Sequence, residues 1–228
     1  MRVSVIIPAY NEQGTIREIV TRIQAVGIEK EIVLVDDCST DGTREKISEL
    51  AAKHSNIRAL YHKHNQGKGA ALRSGFAVAT GDVIVVQDAD LEYDPQDYPK
   101  LLRPILEGKA EVVYGSRFMG GPVKTRLFWH GMANDFFTRL SNMLNGTDLT
   151  DMCTCYKVFK TDVLKGMNLK SKRFTFCPEF TAKVSRKKIR IHEVPISYHS
   201  RNYAEGKKIN WIDGLRHILS ILWYRFFD

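Results

Sequence analysis

The chain has 228 residues, 43% of them hydrophobic, enough to bury a full core as one α/β domain with an elaborated C-terminal part. Its net charge of +8 and pI near 9.3 point to anionic partners: a nucleotide, a phosphorylated substrate, an anionic lipid or nucleic acid. No apolar run approaches the ~20 residues that span a bilayer. Cys38, Cys153, Cys155 and Cys177 match neither a zinc ligand pair nor a C-x-x-C redox motif, which leaves reduced thiols in a cytosolic protein.

The sequence opens directly on an apolar strand, "VSVIIPAY", so no signal peptide is expected ahead of it. "GTIREIVTRIQAV" follows, with Ile16, Ile19, Val20 and Ile23 at helical spacing. "EIVLVDD" is a second strand, and "STDGTREKISELAAKH" opens with capping residues and continues as a helix. Next come a strand "IRALYH", a small-residue helix "GKGAALRSGFAVAT" and a strand "DVIVVQDAD". A helix with proline at its start, "PQDYPKLLRPILEG", and a strand "AEVVYG" complete the first half. This alternation predicts a mostly parallel, Rossmann-like sheet with helices on both faces, whose ligands bind beyond the C-terminal strand ends. "PAYNE", "DDCSTDG" and "DAD" all fall there.

From about Phe118 the pattern changes. "GGPVKTR" is a basic loop, and "LFWHGMANDFFTRLSNMLNG" reads as an amphipathic helix. Trp129, Met132, Phe136, Phe137, Leu140 and Leu144 share one side of it, with Asn134, Asp135, Thr138 and Asn142 elsewhere. After "CYKVF" and a short helix, "IRIHEVPISY" reads as another strand. "INWIDGLRHILSILWYRFF" is a second amphipathic helix rich in aromatics.

The chemistry is concentrated at strand ends. Val83, Ile84, Val85 and Val86 run straight into Asp88, Asp90, Glu92 and Asp94. Like charges so close call for a counter-charge. Asp88 and Asp90 form a D-x-D at the ligand position of the strand, a pattern of hard oxygen donors suited to Mg2+ or Mn2+ shared with substrate phosphates. Asp94, just before Pro95, reads as a helix cap. Asp36 and Asp37 end another strand, as part of a turn or as carboxylates for a ribose or a base edge, while Ser39, Thr40 and Asp41 read as turn and N-cap residues. Tyr10 suits stacking on a base, and Glu12 suits a ribose hydroxyl. "NQGKGAALRSG" lacks a full dinucleotide fingerprint and a Walker A pattern; its small residues read as close helix packing, with Lys68 a phosphate contact.

Taken together, "VIIPAYNE", "VLVDDCSTDGT", "NQGKGAALRSGF", "DADLE" and "GSRF" resemble the inverting GT-A glycosyltransferases of family 2, nearest to the polyprenol-phosphate sugar transferases typified by dolichol-phosphate mannose synthase. The motifs keep family order over residues 3 to 118, and the likeness continues more weakly to about residue 210. It implies one GT-A domain over 1–228, with a nucleotide-sugar half at 1–117 and an acceptor-binding, membrane-facing part at 118–228. Pro8, Tyr10 and Glu12 would line the nucleotide pocket, with Val35 and Asp37 on the base and ribose side. Asp88, Ala89 and Asp90 would form the D-x-D, and Asp90 with Glu92 would hold the metal. The dolichol branch often has glutamine at the position of Glu92, and glutamate is also an oxygen ligand. Arg117 would meet the diphosphate or the acceptor phosphate. Arg201 resembles a loop arginine that clamps the nucleotide, with Lys207 nearby. Arg126 would take the part of an arginine that contacts the lipid phosphate, while Trp129 stands near the place of a serine, a departure from the branch.

Breaking a sugar–phosphate bond leaves a nucleoside diphosphate with extra negative charge, which a divalent ion and flanking Arg or Lys stabilise. A hydroxyl acceptor would also want a general base, for which the resemblance makes Asp151 in "LTDMCTCYK" the candidate, at a family position that bears a carboxylate. A phosphate monoester needs none, its second pKa being about 6, and Asp151 would then be structural or orient a neighbouring arginine. Two amphipathic helices flanked by Lys and Arg suit a membrane surface and a lipid acceptor, or pack on the sheet. The expected protein is therefore a cytosolic enzyme, peripheral at the membrane, moving a hexose from GDP-mannose or UDP-glucose to a polyprenyl phosphate. Transfer to a soluble or polysaccharide hydroxyl and a non-catalytic nucleotide-binding module are the alternatives. Nucleic acid is not an expected partner, because the acid clusters would repel its phosphates.

Overall fold

Runs of β-branched and apolar residues form the seven strands of a single sheet. They are β1 (Val3–Ala9), β2 (Lys30–Asp36), β3 (Ile57–Tyr61), β4 (Val83–Val86), β5 (Val112–Ser116), β6 (Lys157–Lys160) and β7 (Ile191–Pro195). The computed structural model describes residues 1–119, 128–173, 175–200 and 211–228; of 128–130 and 211–213 it describes the backbone only. The helices are α1 (Ile16–Ala25), α2 (Thr43–Lys53), α3 (Lys68–Val78), α4 (Tyr98–Leu106), α5 (Phe128–Asn145), α6 (Phe176–Arg186) and α7 (Trp211–Phe226), with 3-10 turns at Pro95–Asp97 and Thr161–Leu164.

The strand order is β3-β2-β1-β4-β6-β5-β7. All neighbours are parallel except β6, which runs antiparallel to both β4 and β5. The alternating first half is thus the largely parallel sheet expected. The sequence reading places no strand at 157–160 and one short helix in this region, where the structure has β6, a 3-10 turn and the longer α6. The reason is local: β6 shows only four residues, "KVFK", too few for a periodicity to stand out.

Both faces of the sheet are covered, since every residue of β4 and all but the first of β2 are buried. On one face α3 lies so close that a Cβ on Gly75 would sit 2.3 Å from Cγ2 of Ile6, which explains the small residues of that helix. Phe76, Phe159, Phe176 and Phe180 then join α3, β6 and α6 in one aromatic cluster, with the Phe159 and Phe180 rings 4.7 Å apart. Asp94 accepts from Gln96 N at 3.0 Å and is the cap expected of it.

The faces of α5 depart from the simple amphipathic reading. Asn134, Thr138 and Ser141 are buried, whereas Met132 and Phe136 are exposed. The neighbouring 147–152 segment is irregular, so its backbone needs partners, and α5 supplies them. Thr138 Oγ1 accepts from Met152 N at 3.2 Å, and Asn142 Oδ1 accepts from Leu149 N at 3.0 Å. On α7 the buried side carries His217, Ile221 and Tyr224, leaving Leu215, Leu219, Leu222, Trp223 and Phe226 outward. Among the described residues no helix is long and apolar enough to cross a membrane.

Candidate active site

The C-terminal ends of β1, β2, β4 and β5 bring Tyr10, Asp37, the 87–92 turn and Arg117 to one edge of the sheet. Because β6 is antiparallel, the loop that precedes it arrives at this same edge and delivers Asp151. Lys157 anchors that loop from within. It is fully buried, donates through Nζ to the carbonyls of Met152 (3.1 Å) and Thr154 (2.5 Å), and lies 4.4 Å from the Tyr114 ring centre.

On the donor side, two loops are stitched together. Asn11 N donates to Ser39 Oγ at 3.0 Å, Thr40 N to Asn11 Oδ1 at 2.9 Å, and Glu12 N to Thr43 Oγ1 at 2.9 Å. Tyr10 is exposed beside Pro8, and Glu12 accepts from the Thr15 hydroxyl at 2.9 Å. Asp41 accepts from Thr43 N at 3.0 Å, the turn role expected of it. Val35 is fully buried in the core. Asp37 is buried too, its carboxylate 2.7 Å from His62 Nδ1 and accepting from Gln66 N (2.9 Å) and Gly67 N (2.6 Å). Neither side chain is at the surface, and Asp37 holds the turn that leads into α3. Gly67 takes φ +90 there, a backbone that favours glycine.

At the acidic turn, Lys68 Nζ lies 2.6 Å from Asp88 Oδ1, so the lysine expected at a phosphate is paired with a carboxylate of that turn. Burial opposes the Lys68 charge, but Asp88 raises its pKa well above the ordinary value. Asp90 Oδ1 accepts from Glu92 N at 3.2 Å, closing a turn in which Leu91 takes φ 62. Glu92 Oε2 accepts from the Tyr198 hydroxyl at 3.0 Å, and burial with the Glu92 charge pushes that phenol up to about 12. Ala89 is buried between the two aspartates. Among the described residues Asp88, Asp90 and Glu92 do not converge as a three-carboxylate metal cluster. The donor set still fits a small hard cation, because Mg2+ and Mn2+ are commonly held by one or two carboxylates together with substrate phosphates and water.

Beyond the end of β5, Arg117 and Asp151 form a two-pronged ion pair. Arg117 Nε donates to Oδ2 at 2.6 Å, Nη2 to Oδ1 at 2.8 Å, and the Arg117 backbone N–H also donates to Oδ2, at 3.1 Å. Asp151 is 0% exposed. Burial disfavours the Arg117 charge, yet Asp151 holds its pKa well above the usual value. The guanidinium carbon lies 5.1 Å from the Tyr198 ring centre, and Nη2 reaches Asn134 Oδ1 at 3.3 Å. Asn134 is 7% exposed, and among the described residues its Nδ2 has no partner, an orphan donor beside Arg117. Sequence reasoning missed Asn134 and Lys157. The signal for the first was the spacing of Asn134, Thr138 and Ser141, a polar stripe on a helix; nothing marked Lys157. Arg126, Arg201 and Lys207 lie outside the described residues. Burial pushes the Cys153 and Cys155 thiols up, which suits inert, reduced side chains.

The arrangement is that of a GT-A fold, an α/β sheet with an acidic turn and the Arg117–Asp151 pair at the strand ends. Residues 4–167 match the family model of Glycosyl transferase family 2, and the chain belongs to that family. It is 33% identical to the dolichol-phosphate mannosyltransferase of Pyrococcus furiosus over 97% of its own length, spanning 64% of that relative. It is 31% identical to the undecaprenyl-phosphate mannosyltransferase of Micrococcus luteus, covering 94% of this chain and 90% of the other. The fold matches glucosyl-3-phosphoglycerate synthase from Mycobacterium tuberculosis, solved with Mn2+, UDP and phosphoglyceric acid. There the TM-score is 0.76 at 20% identity, over 100% of this chain and 79% of that one.

Proposed function

We propose that the chain transfers a hexose from a nucleoside diphosphate sugar, GDP-mannose or UDP-glucose, to a polyprenyl phosphate, inverting the anomeric centre. The observation that carries this reading is the engagement of both Asp151 oxygens by Arg117. A carboxylate so held is poorly placed to take a proton from a hydroxyl, and a phosphate acceptor asks for no base. It asks instead for cations, since two phosphates brought together repel unless positive charge lies between them. Arg117 supplies one such charge, and the orphan Nδ2 of Asn134 a further donor. The names of the two relatives, one acting with dolichol phosphate and the other with undecaprenyl phosphate, favour the same acceptor class.

In this reading Pro8, Tyr10 and Glu12 receive the nucleotide, above the floor built by Val35 and Asp37. Asp90, with Asp88 and Glu92, would hold Mg2+ or Mn2+ against the diphosphate, and Lys68 orients Asp88. The ion would neutralise charge on the departing nucleoside diphosphate. Arg201 and Lys207 would close on the nucleotide and Arg126 on the lipid phosphate. The outward apolar side chains of α5 and α7 would rest in the interface of a membrane, with the site on its cytoplasmic face.

Purified protein given each sugar nucleotide, with polyprenyl phosphate or a hydroxyl acceptor, tests the reading. Transfer to the lipid phosphate should require Mn2+ or Mg2+ and stop with excess chelator. Asp90→Asn should remain folded and lose two or more decades of rate, since ~1.4 kcal/mol is tenfold. Full turnover in chelator removes the metal from the reading, and transfer to hydroxyl acceptors alone removes the lipid.

A further inference from the structure

We infer that Glu193, on the edge strand β7, is a positioning residue that sets Arg117 by holding the chain on both sides of its ion pair; this rests on the reading of Arg117 as a phosphate contact. Glu193 lies outside every motif, in a strand that otherwise only ends the sheet. Its Oε2 accepts from Thr150 N at 2.7 Å and from the Thr150 hydroxyl at 3.0 Å, and its Oε1 accepts from Asp151 N at 3.1 Å. Three donors from two consecutive residues thus converge on one carboxylate, immediately before the Asp151 carboxylate grips Arg117.

The proton order extends the hold to the other side. A hydroxyl has a single hydrogen. The Thr150 hydroxyl spends its hydrogen on Glu193, so at the 2.6 Å contact between Ser116 Oγ and Thr150 Oγ1 the donor is Ser116. Ser116 Oγ in turn accepts from Phe118 N at 3.1 Å. The resulting chain runs in one direction: Phe118 N–H to Ser116, Ser116 to Thr150, Thr150 to Glu193. Residues 116 and 118, which flank Arg117, are therefore polarised towards the same carboxylate that holds the backbone of Asp151.

The sheet makes Glu193 a rigid support. β7 pairs in parallel with β5, with Glu193 in register with Tyr114 and Pro195 with Ser116, so the carboxylate and the end of β5 cannot shift independently. A carboxylate is what the geometry needs, because it accepts at both oxygens and donates nothing. Glutamine keeps the shape but turns one acceptor into an N–H2 that faces another N–H. A cavity of about 600 Å³, lined also by Met119, Thr150 and Ser185, borders Glu193, so substitutions here do not overfill a packed core.

The test uses Glu193→Gln and Glu193→Ala, with two readouts. In protein labelled with 15N at arginine Nε, the Arg117 resonance, assigned by its absence from Arg117→Lys, should shift or broaden in both variants. In kinetics the apparent KM for polyprenyl phosphate should rise on the order of tenfold, the scale of a small misplacement of a binding group, while affinity for the nucleoside diphosphate stays within about twofold. Combining Glu193→Gln with Asp151→Asn should add little to Asp151→Asn alone, because both act through one arginine. If Glu193→Ala does not fold, Glu193→Gln decides. An unmoved Arg117 resonance overturns the inference, and so does a parallel loss of donor affinity, acceptor affinity and Tm, which marks a merely structural residue. Absence of transfer to any lipid phosphate, with the Arg117 resonance still displaced, overturns the functional reading and leaves the positioning role intact.

Discussion

Arg117 and Asp151 face each other where little water reaches, and in such a place removing one partner of an ion pair costs more than the pair itself contributes. Asp151→Asn keeps the size and one acceptor oxygen but leaves the buried guanidinium without its counter-charge. It should lower stability by on the order of 3 kcal/mol, visible as a lower Tm. For a phosphate acceptor the kcat of the folded variant should stay within about tenfold, with the acceptor KM raised as Arg117 loosens. A lost general base would instead cost ~10²–10⁴-fold in kcat at an unchanged acceptor KM. Steady-state kinetics on the folded variant separates the two, and the larger kcat loss would return Asp151 to the role of base.

The helices α5 and α7 raise a question of packing. Each turns polar or mixed side chains inward, Asn134 and Thr138 on α5 and His217 on α7, and leaves large apolar ones outside. Inward polarity has a cause in the backbone of the 147–152 segment and in the tilted ring contact of Phe137 with His217 at 5.0 Å. Outward apolarity has none among the described residues, and monomers seldom expose such surface without a use. Leu219 and Trp223 are 65% and 56% exposed, so replacing both with serine removes little packing. Leu219→Ser with Trp223→Ser should leave Tm nearly unchanged and cut binding to lipid vesicles by on the order of 10²-fold, since each buried side chain contributes ~1.5–3 kcal/mol and ~1.4 kcal/mol is tenfold. Co-sedimentation with vesicles is the measurement, and unchanged binding would assign these helices to some other contact.

At the level of the whole molecule, the net charge of +8 adds a long-range term to that apolar one. Attraction of a cationic protein to an anionic bilayer is screened over ~10 Å at 0.1 M salt, whereas apolar insertion is not. Binding to vesicles with anionic lipid should therefore weaken as salt rises and level off at a residual apolar component. Vesicles of neutral lipid should show that component alone, at all salt concentrations. A loss of all binding at high salt would mean that charge acts without insertion. At the strand ends the cations are matched one to one, Lys68 with Asp88 and Arg117 with Asp151, so the excess charge lies elsewhere.

The sequence by itself determined the α/β class, the alternation of β1 to β5 with their helices, and the acids at the strand ends. These follow from short-range rules: β-branched runs, helical spacing, and turn residues that must lie where strands stop. It also carried the small-residue character of α3, which the 2.3 Å approach at Gly75 explains. Only the tertiary structure decided the rest, because the rest depends on pairs far apart in the chain. The four residues of β6 take their direction from β4 and β5 rather than from their own pattern, and that direction brings Asp151 to Arg117, thirty-four positions away. The inward face of α5 was set by the hydrogen bonds that an irregular neighbour needs, which outweigh the hydrophobic stripe a helical wheel shows. Lys157 and Glu193 gain their importance from backbone groups that reach them only in the folded chain, and a hydrogen bond between distant residues leaves no spacing in the sequence to be read.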